Sequence, residues 1–245
     1  MAMYALVDAS NFYASCEQNF RPSLKGVPLV VLSNNDGNAI ARSEEAKALG
    51  IKMGAPWFQI RHMEASHGLV GLSANFPLYG DMSNRLMSLV AGLGHRTEVY
   101  SIDEAFVDVE GIPGDLTERS FKIRARIHRW LGLQCGVGIG STKTLAKLAN
   151  HVSKDAERKP GSYPAHLAQV CNYEALSEAE KREILKSTLV GDIWGVGRRL
   201  GAQLAEVGVI TALDLAQMDP VVVRRKWSVV LERTVRELNG QSCIA

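Results

Sequence analysis

VYSIDEAFVDV, residues 99–109, sets two adjacent carboxylates, Asp103 and Glu104, inside an otherwise apolar stretch. Neighbouring acids repel each other and are costly to bury, so their position calls for a physical reason. The run divides into two strand-like halves, VYSI and AFVDV, which read as a hairpin turning at the acid pair. Outward from it, MYALVD (3–8) is a short apolar run of strand type. Met82, Leu86, Leu89, Val90 and Leu93 recur at helical spacing from about 79 to 93. Leu116, Ile123, Ile127, Trp130 and Leu131 fit one helix face, with Gly132 as its stop, and CGVGI is another strand. With residues 9–78 set aside, the order is β-α-β-β-α-β, the split βαβ or ferredoxin-like arrangement of an α+β fold.

That topology makes a prediction about the acids. The third strand lies between the first and second, antiparallel to both. The hairpin therefore turns at the sheet edge where strand one ends, which is Asp8. Asp8, Asp103 and Glu104 are expected together there, although 95 positions separate the two aspartates. Such a trio is stable only beside cations. Hard oxygen ligands at an open site suit magnesium, which keeps waters and takes phosphates as further ligands. Two such ions about 3.5–4 Å apart hold the attacking and departing oxygens of an in-line phosphoryl transfer. The alternative is a set of solvated turn acids, and that is the reading for Asp108 and Glu110.

Composition sets wide bounds. A chain of 245 residues, 46% hydrophobic and 22% charged, has the makeup of a globular protein with a sizeable core. A formal charge of +2 argues neither for nor against nucleic acid. Cys16, Cys135, Cys171 and Cys243 have no paired spacing and read as reduced thiols of a cytoplasmic protein. The six histidines make no zinc pattern. No stretch has the length and apolarity of a membrane span, and MAMYALVDAS is no signal peptide.

The insert has its own elements. PLVVLS and NAIAR are strand-like and joined by the turn NNDG. SEEAKALG reads as a short helix capped by Ser43, with acids in its first turn and Gly50 at its end. A subdomain inserted beside the acidic edge is placed as a lid, and its Lys47 could meet phosphate. GVGIGSTKTLAKLANHVSK resembles a phosphate loop but fails both glycine patterns, because Thr142 stands where a glycine belongs. It reads as a strand and then a helix capped by Ser141, with Leu145, Leu148, Ala149 and Val152 buried. Lys143, Lys147 and Lys154 form a stripe on another face, expected to be solvated unless one lysine reaches a phosphate. Arg119, Lys122, Arg126 and Arg129 are expected in solvent. Turn residues in SKDAERKPGSYPAHL mark a boundary near 155–165. Beyond it, Ile193, Gly195, Val196 and Gly197 match a helix-hairpin-helix pattern. Its glycines let backbone N–H groups approach a DNA phosphate, with Arg198 and Arg199 adding charge, a contact that ignores base sequence.

Together VDASNFYASCE, ARSEEAKALGIKMG, VYSIDEAF, TKTLAKLANH, DIWGVGRR and VVLERTVRELNG resemble the Y-family translesion DNA polymerases, most closely their UmuC-type branch. The likeness runs from Met3 to about Gly240. It implies a palm of residues 1–10 and 78–165, fingers of 11–77 and a helix-hairpin-helix thumb of 166–245. It implies error-prone, template-directed transfer of dNMP to a primer 3′ hydroxyl in the SOS damage response, with two magnesium ions, dNTP and primer–template DNA. Asp8 and Asp103 would bridge both ions, Glu104 would hold the catalytic one, and the Ala9 carbonyl would help hold the other. Tyr13 matches the steric gate, against which a ribose 2′ hydroxyl collides, and Phe12 precedes it. Lys47 matches a triphosphate contact of the fingers, and either Lys154 or Lys159 the palm-end lysine. Glu44 departs from the tyrosine many relatives carry. Family members continue into a little-finger domain beyond the last residues of this sequence, where contacts to a UmuD′-type subunit and RecA mainly lie. A core without it should hold DNA weakly and with steep salt dependence. The alternatives are a DNA-binding accessory or weakly active fragment, and a nucleotidyl cyclase. The gate tyrosine and helix-hairpin-helix argue against the cyclase.

Overall fold

The computed structural model describes residues 2–244. Its elements run β1 (Tyr4–Ala9), α1 (Phe12–Phe20), β2 (Leu29–Leu32), β3 (Ala39–Arg42), α2 (Glu44–Ala48), α3 (Trp57–Ile60), α4 (Met63–His67), β4 (Val70–Ser73) and α5 (Phe76–Val90). They continue with β5 (Arg96–Val99), β6 (Glu104–Asp108), α6 (Leu116–Leu131), β7 (Cys135–Gly140), α7 (Lys143–Arg158) and β8 (Val170–Asn172). Helices complete the chain: α8 (Glu178–Ser187), α9 (Arg198–Glu206), α10 (Ala212–Ala216), α11 (Pro220–Lys226) and α12 (Val229–Leu238).

The larger sheet has strand order β5-β6-β1-β7-β8. Its first four members are the split βαβ arrangement, with β6 between β5 and β1 and antiparallel to both. Strand β8 adds a parallel edge beside β7, which three residues with no alternation do not announce. One face of this sheet packs on α5 and α6 through Val7, Val107, Val137 and Ile139 against Leu86, Val90, Ile123 and Ile127. The opposite face meets α7 through Leu6, Phe106 and Ala146.

The glycines of CGVGIG make that second contact possible. Alternation along β7 turns Val137 and Ile139 to one face and Gly136, Gly138 and Gly140 to the other. A Cβ on Gly138 would lie 2.1 Å from the backbone nitrogen of Asn150 and 2.2 Å from the carbonyl oxygen of Ala146. The stretch that imitates a phosphate loop is thus a bare patch of sheet on which α7 lies.

A smaller sheet of order β3-β2-β4 packs with α1 through Val31 and Ala41 and has its own core of Val30, Leu32, Ala46, Ile51, Trp57 and Leu69. Its β2–β3 pair is the hairpin expected around NNDG, and Ser43 caps α2 by accepting from the Ala46 N–H. Helices α8 to α12 form a third core with the outer face of α7, whose Leu145, Leu148, Ala149 and Val152 are buried there.

Four local readings change. The cap of α7 is Thr142, whose hydroxyl accepts from the Leu145 N–H, while the Ser141 N–H donates to Glu174. VYSI is not the second hairpin strand: that strand is RTEV (96–99), an exposed edge without apolar alternation, and Tyr100–Ile102 belong to the turn. Trp130 is exposed and carries Arg126 over its ring. Finally, the Lys143, Lys147 and Lys154 stripe is not solvated; each lysine pairs with a carboxylate.

Candidate active site

Strand register brings the acids together. Asp8 and Glu104 are directly opposite across β1 and β6, and the Ala9 N–H donates to the Asp103 carbonyl at 2.9 Å. Cross-strand partners share a sheet face, and Leu6 and Phe106, one alternation back, lie on the α7 side. Asp8 and Glu104 therefore face α7 as well.

The lysines of α7 answer them. Lys154 Nζ lies 2.6 Å from Asp8 Oδ2. Lys147 Nζ donates to both oxygens of Glu104 at 3.0 and 3.2 Å. Its ammonium also sits 4.2 Å from the Tyr100 ring centre and 5.2 Å from that of Trp194, whose indole N–H donates to the Tyr100 hydroxyl. Asp103 takes no lysine and accepts from the Ser101 hydroxyl at 2.7 Å. Burial, reinforced by the charge of Asp8, pushes the Asp103 carboxyl above its ordinary pKa. Burial also raises Glu104, against the pull of Lys147.

Among the described residues, no three acidic, histidine or cysteine side chains stand ready around one point. Each carboxylate is turned to its own protein partner. The donor chemistry nonetheless fits a hard divalent cation, because Asp8, Asp103 and Glu104 supply hard carboxylate oxygens and lysine ammonium groups already sit against two of them.

The edge opens into a cavity of about 400 Å³. Asp8, Asp103 and Lys154 form its floor, and Arg42 and Lys47 approach from the smaller sheet. Tyr13 and Phe12 line it from α1, with Ala9 at the end of β1. Phe12 is buried in the main core. Tyr13 stacks on Tyr79 with ring centres 4.3 Å apart, and the Tyr79 hydroxyl donates to buried Glu17 at 2.8 Å, so the Tyr13 ring has a fixed backing. Lys47 bonds Asn11 and Glu44. Lys159 stands outside the cavity, exposed and paired with Asp155 at 2.8 Å.

The glycine turn lies on the third unit. Gly195 has φ +87°, Gly197 is the N-cap of α9, and Arg198 and Arg199 are exposed. The element before the turn is a single 3-10 turn, Val190–Asp192, where the pattern leads one to expect a full helix. Trp194, inside this motif, joins Tyr100 of the acidic hairpin.

Sequence reasoning missed Arg42, Asn11 and Lys147 as members of the site. Strand periodicity held a signal for Arg42, since alternation places it with Ile40, and both line the cavity.

The profile of the impB/mucB/samB family matches residues 7–151. The chain is 47% identical over 248 residues to protein ImpB of Salmonella typhimurium, covering 99% of this chain and 56% of that protein. It is 46% identical over 244 residues to protein UmuC of the same species, with the same coverage. DNA polymerase IV of Picrophilus torridus is 30% identical over 222 residues, covering 89% of this chain and 60% of that one. The chain thus spans a little over half the length of these relatives. Among solved structures, the insertion ternary complex of Dbh DNA polymerase superposes with TM-score 0.80 at 25% identity, covering 99% of this chain and 69% of that one. DinB from Sulfolobus solfataricus superposes with TM-score 0.78 at 26% identity, over 99% and 68%.

Proposed function

The chain belongs to the impB/mucB/samB family of Y-family DNA polymerases, and on that premise we propose that it catalyses template-directed, error-prone addition of dNMP to a primer 3′ hydroxyl during the SOS response. The supporting observation is the juxtaposition of Asp8, Asp103 and Glu104 at one sheet edge, where Asp8 and Asp103 open on a cavity whose other walls hold Tyr13, Lys47, Arg42 and Lys154. Such a cavity carries carboxylates for cations and cations for phosphates, the two halves of a metal–triphosphate ligand.

In this reading the palm, residues 1–10 and 78–165, comprises β1, β5, β6 and β7 with α6, α7 and all but the first two residues of α5, while β8 joins its sheet from the segment that follows. Residues 11–77 are the fingers and 166–245 the thumb. Asp8 and Asp103 would bridge two magnesium ions, Glu104 would hold the one near the primer terminus, and the Ala9 carbonyl the one near the nucleotide. Bound there, the ions would neutralise triphosphate charge and lower the pKa of the attacking hydroxyl. The chain's own side chains orient the substrate. Lys47 and Lys154 meet phosphate oxygens, Phe12 supports the pocket, and Tyr13, backed by Tyr79, holds its ring under the sugar and excludes a 2′ hydroxyl. Gly195, Gly197, Arg198 and Arg199 grip the DNA backbone without choosing sequence. A cytoplasmic setting follows from this role. By family, a UmuD′-type subunit and RecA are the protein partners.

The test is single-nucleotide primer extension at low salt with magnesium. Extension should occur, Asp103→Asn should abolish it with DNA affinity retained, and Tyr13→Ala should admit ribonucleotides. A folded parent chain that adds no nucleotide would support the accessory reading in its place.

A further inference from the structure

Beyond the carboxylate edge, two hydrogen-bond donors and a guanidinium, from three parts of the chain, converge on one oxygen, Oε1 of Glu44. The Asn11 amide donates to it at 2.8 Å from the start of α1. Lys47 Nζ lies 3.1 Å away on α2 itself. Arg158 Nε lies 3.6 Å away at the last residue of α7. Asn11 is held in the left-handed region, φ +52°, at the N-cap of α1.

The location gives the cluster its meaning. Asn11 and Lys47 line the 400 Å³ cavity with Asp8 and Asp103. Asn11, Glu44 and Arg158 also line a neighbouring cavity of about 750 Å³. The cluster is therefore the partition between the two, at the end of the first cavity occupied by Lys47. Burial acts to raise the Glu44 carboxyl, but the hydrogen bonds from Asn11 and Lys47 and the charges of Lys47 and Arg158 outweigh it and hold the carboxyl below its ordinary value. Glu44 is thus bound as an anion. Its side chain is half exposed and sits on a helix of five residues, so it can rotate out without disturbing a core.

We propose that the Asn11–Lys47–Arg158 trio is a receptor for the terminal phosphate of the nucleotide, that Arg158 is a further phosphate-binding residue, and that Glu44 occupies the receptor until nucleotide displaces it. The ligand class rests on the polymerase reading; the anion site rests on the two hydrogen bonds and the Arg158 ion pair at Glu44. A terminal phosphate offers more charge and more acceptor oxygens than a carboxylate, so it competes for the same donors. The arrangement links α2 to α7 when no nucleotide is bound and makes nucleotide affinity a difference between two anions. It also gives a role to the acid at the position where many relatives carry a tyrosine.

The experiment is calorimetric binding of inorganic tripolyphosphate to the metal-free chain, for the parent and for Glu44→Gln, Arg158→Gln and Lys159→Gln. Removing the competing charge in Glu44→Gln should tighten binding about tenfold, and Arg158→Gln should weaken it by a similar factor. Lys159→Gln, next in sequence but lining neither cavity and paired with Asp155, should change it less than twofold. Thermal melts establish that each variant is folded, and Glu44→Ser repeats the charge removal without the amide. Unchanged or weaker binding in both Glu44 variants, or equal losses at Arg158 and Lys159, would overturn the proposal. If these shifts appear while the parent chain extends no primer, the anion receptor stands and the polymerase reading fails; the reverse pattern refutes the receptor alone.

Discussion

Gly138 offers the most direct test of how the fold sets the site, through the substitution Gly138→Ala. The added Cβ would meet Asn150 N at 2.1 Å, Ala146 O at 2.2 Å and Ala149 C at 2.7 Å. Ordinary contact begins at 3.4 Å, so α7 would have to retreat by about 1.3 Å. All three obstacles are backbone atoms of one helix, so no side-chain rotation relieves them. Overpacking of a tight core typically costs about 1–3 kcal/mol, and a rigid backbone contact belongs at or above the upper end. With a urea slope of about 2–3 kcal/mol/M, the unfolding midpoint should fall by about 1 M or more. The same retreat pulls Lys147 and Lys154 from carboxylates now 3.0 and 2.6 Å away, so phosphate binding should weaken too. Gly136→Ala is the comparison: its Cβ would meet side-chain atoms, Lys154 Cγ at 2.9 Å and Ser153 Oγ at 3.0 Å, which can give way. It should cost far less stability while still disturbing Lys154. A Gly138→Ala midpoint within about 0.3 M of the parent, or a larger loss in Gly136→Ala, would refute the close-approach argument.

Asp103→Asn should stabilise the chain at neutral pH. Burial and the Asp8 charge raise the Asp103 pKa, so the folded chain holds that proton more tightly than the unfolded chain, and the charged form opposes folding. This opposition diminishes as pH falls through the raised folded value toward the unfolded value of about 3.9, so the stability gain in EDTA should be largest near pH 7 and shrink toward pH 4. A lower urea midpoint than the parent at pH 7 contradicts it. Glu237→Ala should cost about 3 kcal/mol or more, because the fully buried carboxylate accepts from the Thr144 N–H and hydroxyl at 2.9 and 2.8 Å and both donors would be orphaned. Glu237→Gln, which retains an acceptor, should cost less in the same urea titration. In steady-state extension, Lys154→Ala should raise the dNTP KM about tenfold and Lys159→Ala should leave it within twofold, since only Lys154 lines the cavity.

The acidic edge was legible because strand pairing obeys few rules. Once the chain reads β-α-β-β-α-β, the position of β6 follows, and Asp8 must face the hairpin. The helix face of α5 and the Ser43 cap were legible for a similar reason: both are local patterns with one dominant physical cause. What escaped was set by partners distant in sequence. RTEV is a strand because β6 offers it an edge, and its own polar residues give no sign of that. VGLS pairs in parallel with β2 across a long connection, and its glycine lies against Trp57, a contact invisible in a four-residue run. The lysines of α7 looked like a solvated stripe because their helical spacing is the same whether water or carboxylates lie opposite. Only the approach of α7 to the glycine face of β7 decides between the two.

That approach also explains why one helix carries so much of the site. The start of α7 is held by Glu237 of α12 and, through Ser141, by Glu174. Its middle lies on the sheet at Gly138, with Lys147 against Glu104 and, across the Tyr100 and Trp194 rings, against the glycine turn that precedes α9. Its last turns place Lys154 on Asp8 and Arg158 on Glu44 of the smaller sheet's helix. Helix α7 therefore ties the sheet, the helical core and the smaller sheet's helix together at the carboxylate edge. A helix in that position cannot move to relieve a clash in one unit without changing ion pairs in the other two. The lysines also compensate Asp8 and Glu104, so these two carboxylates do not stand unpaired at the sheet edge. On the proposed function, a cation entering this edge would compete with Lys147 and Lys154, so α7 stands between the carboxylates, the cavity and the glycine turn that precedes α9.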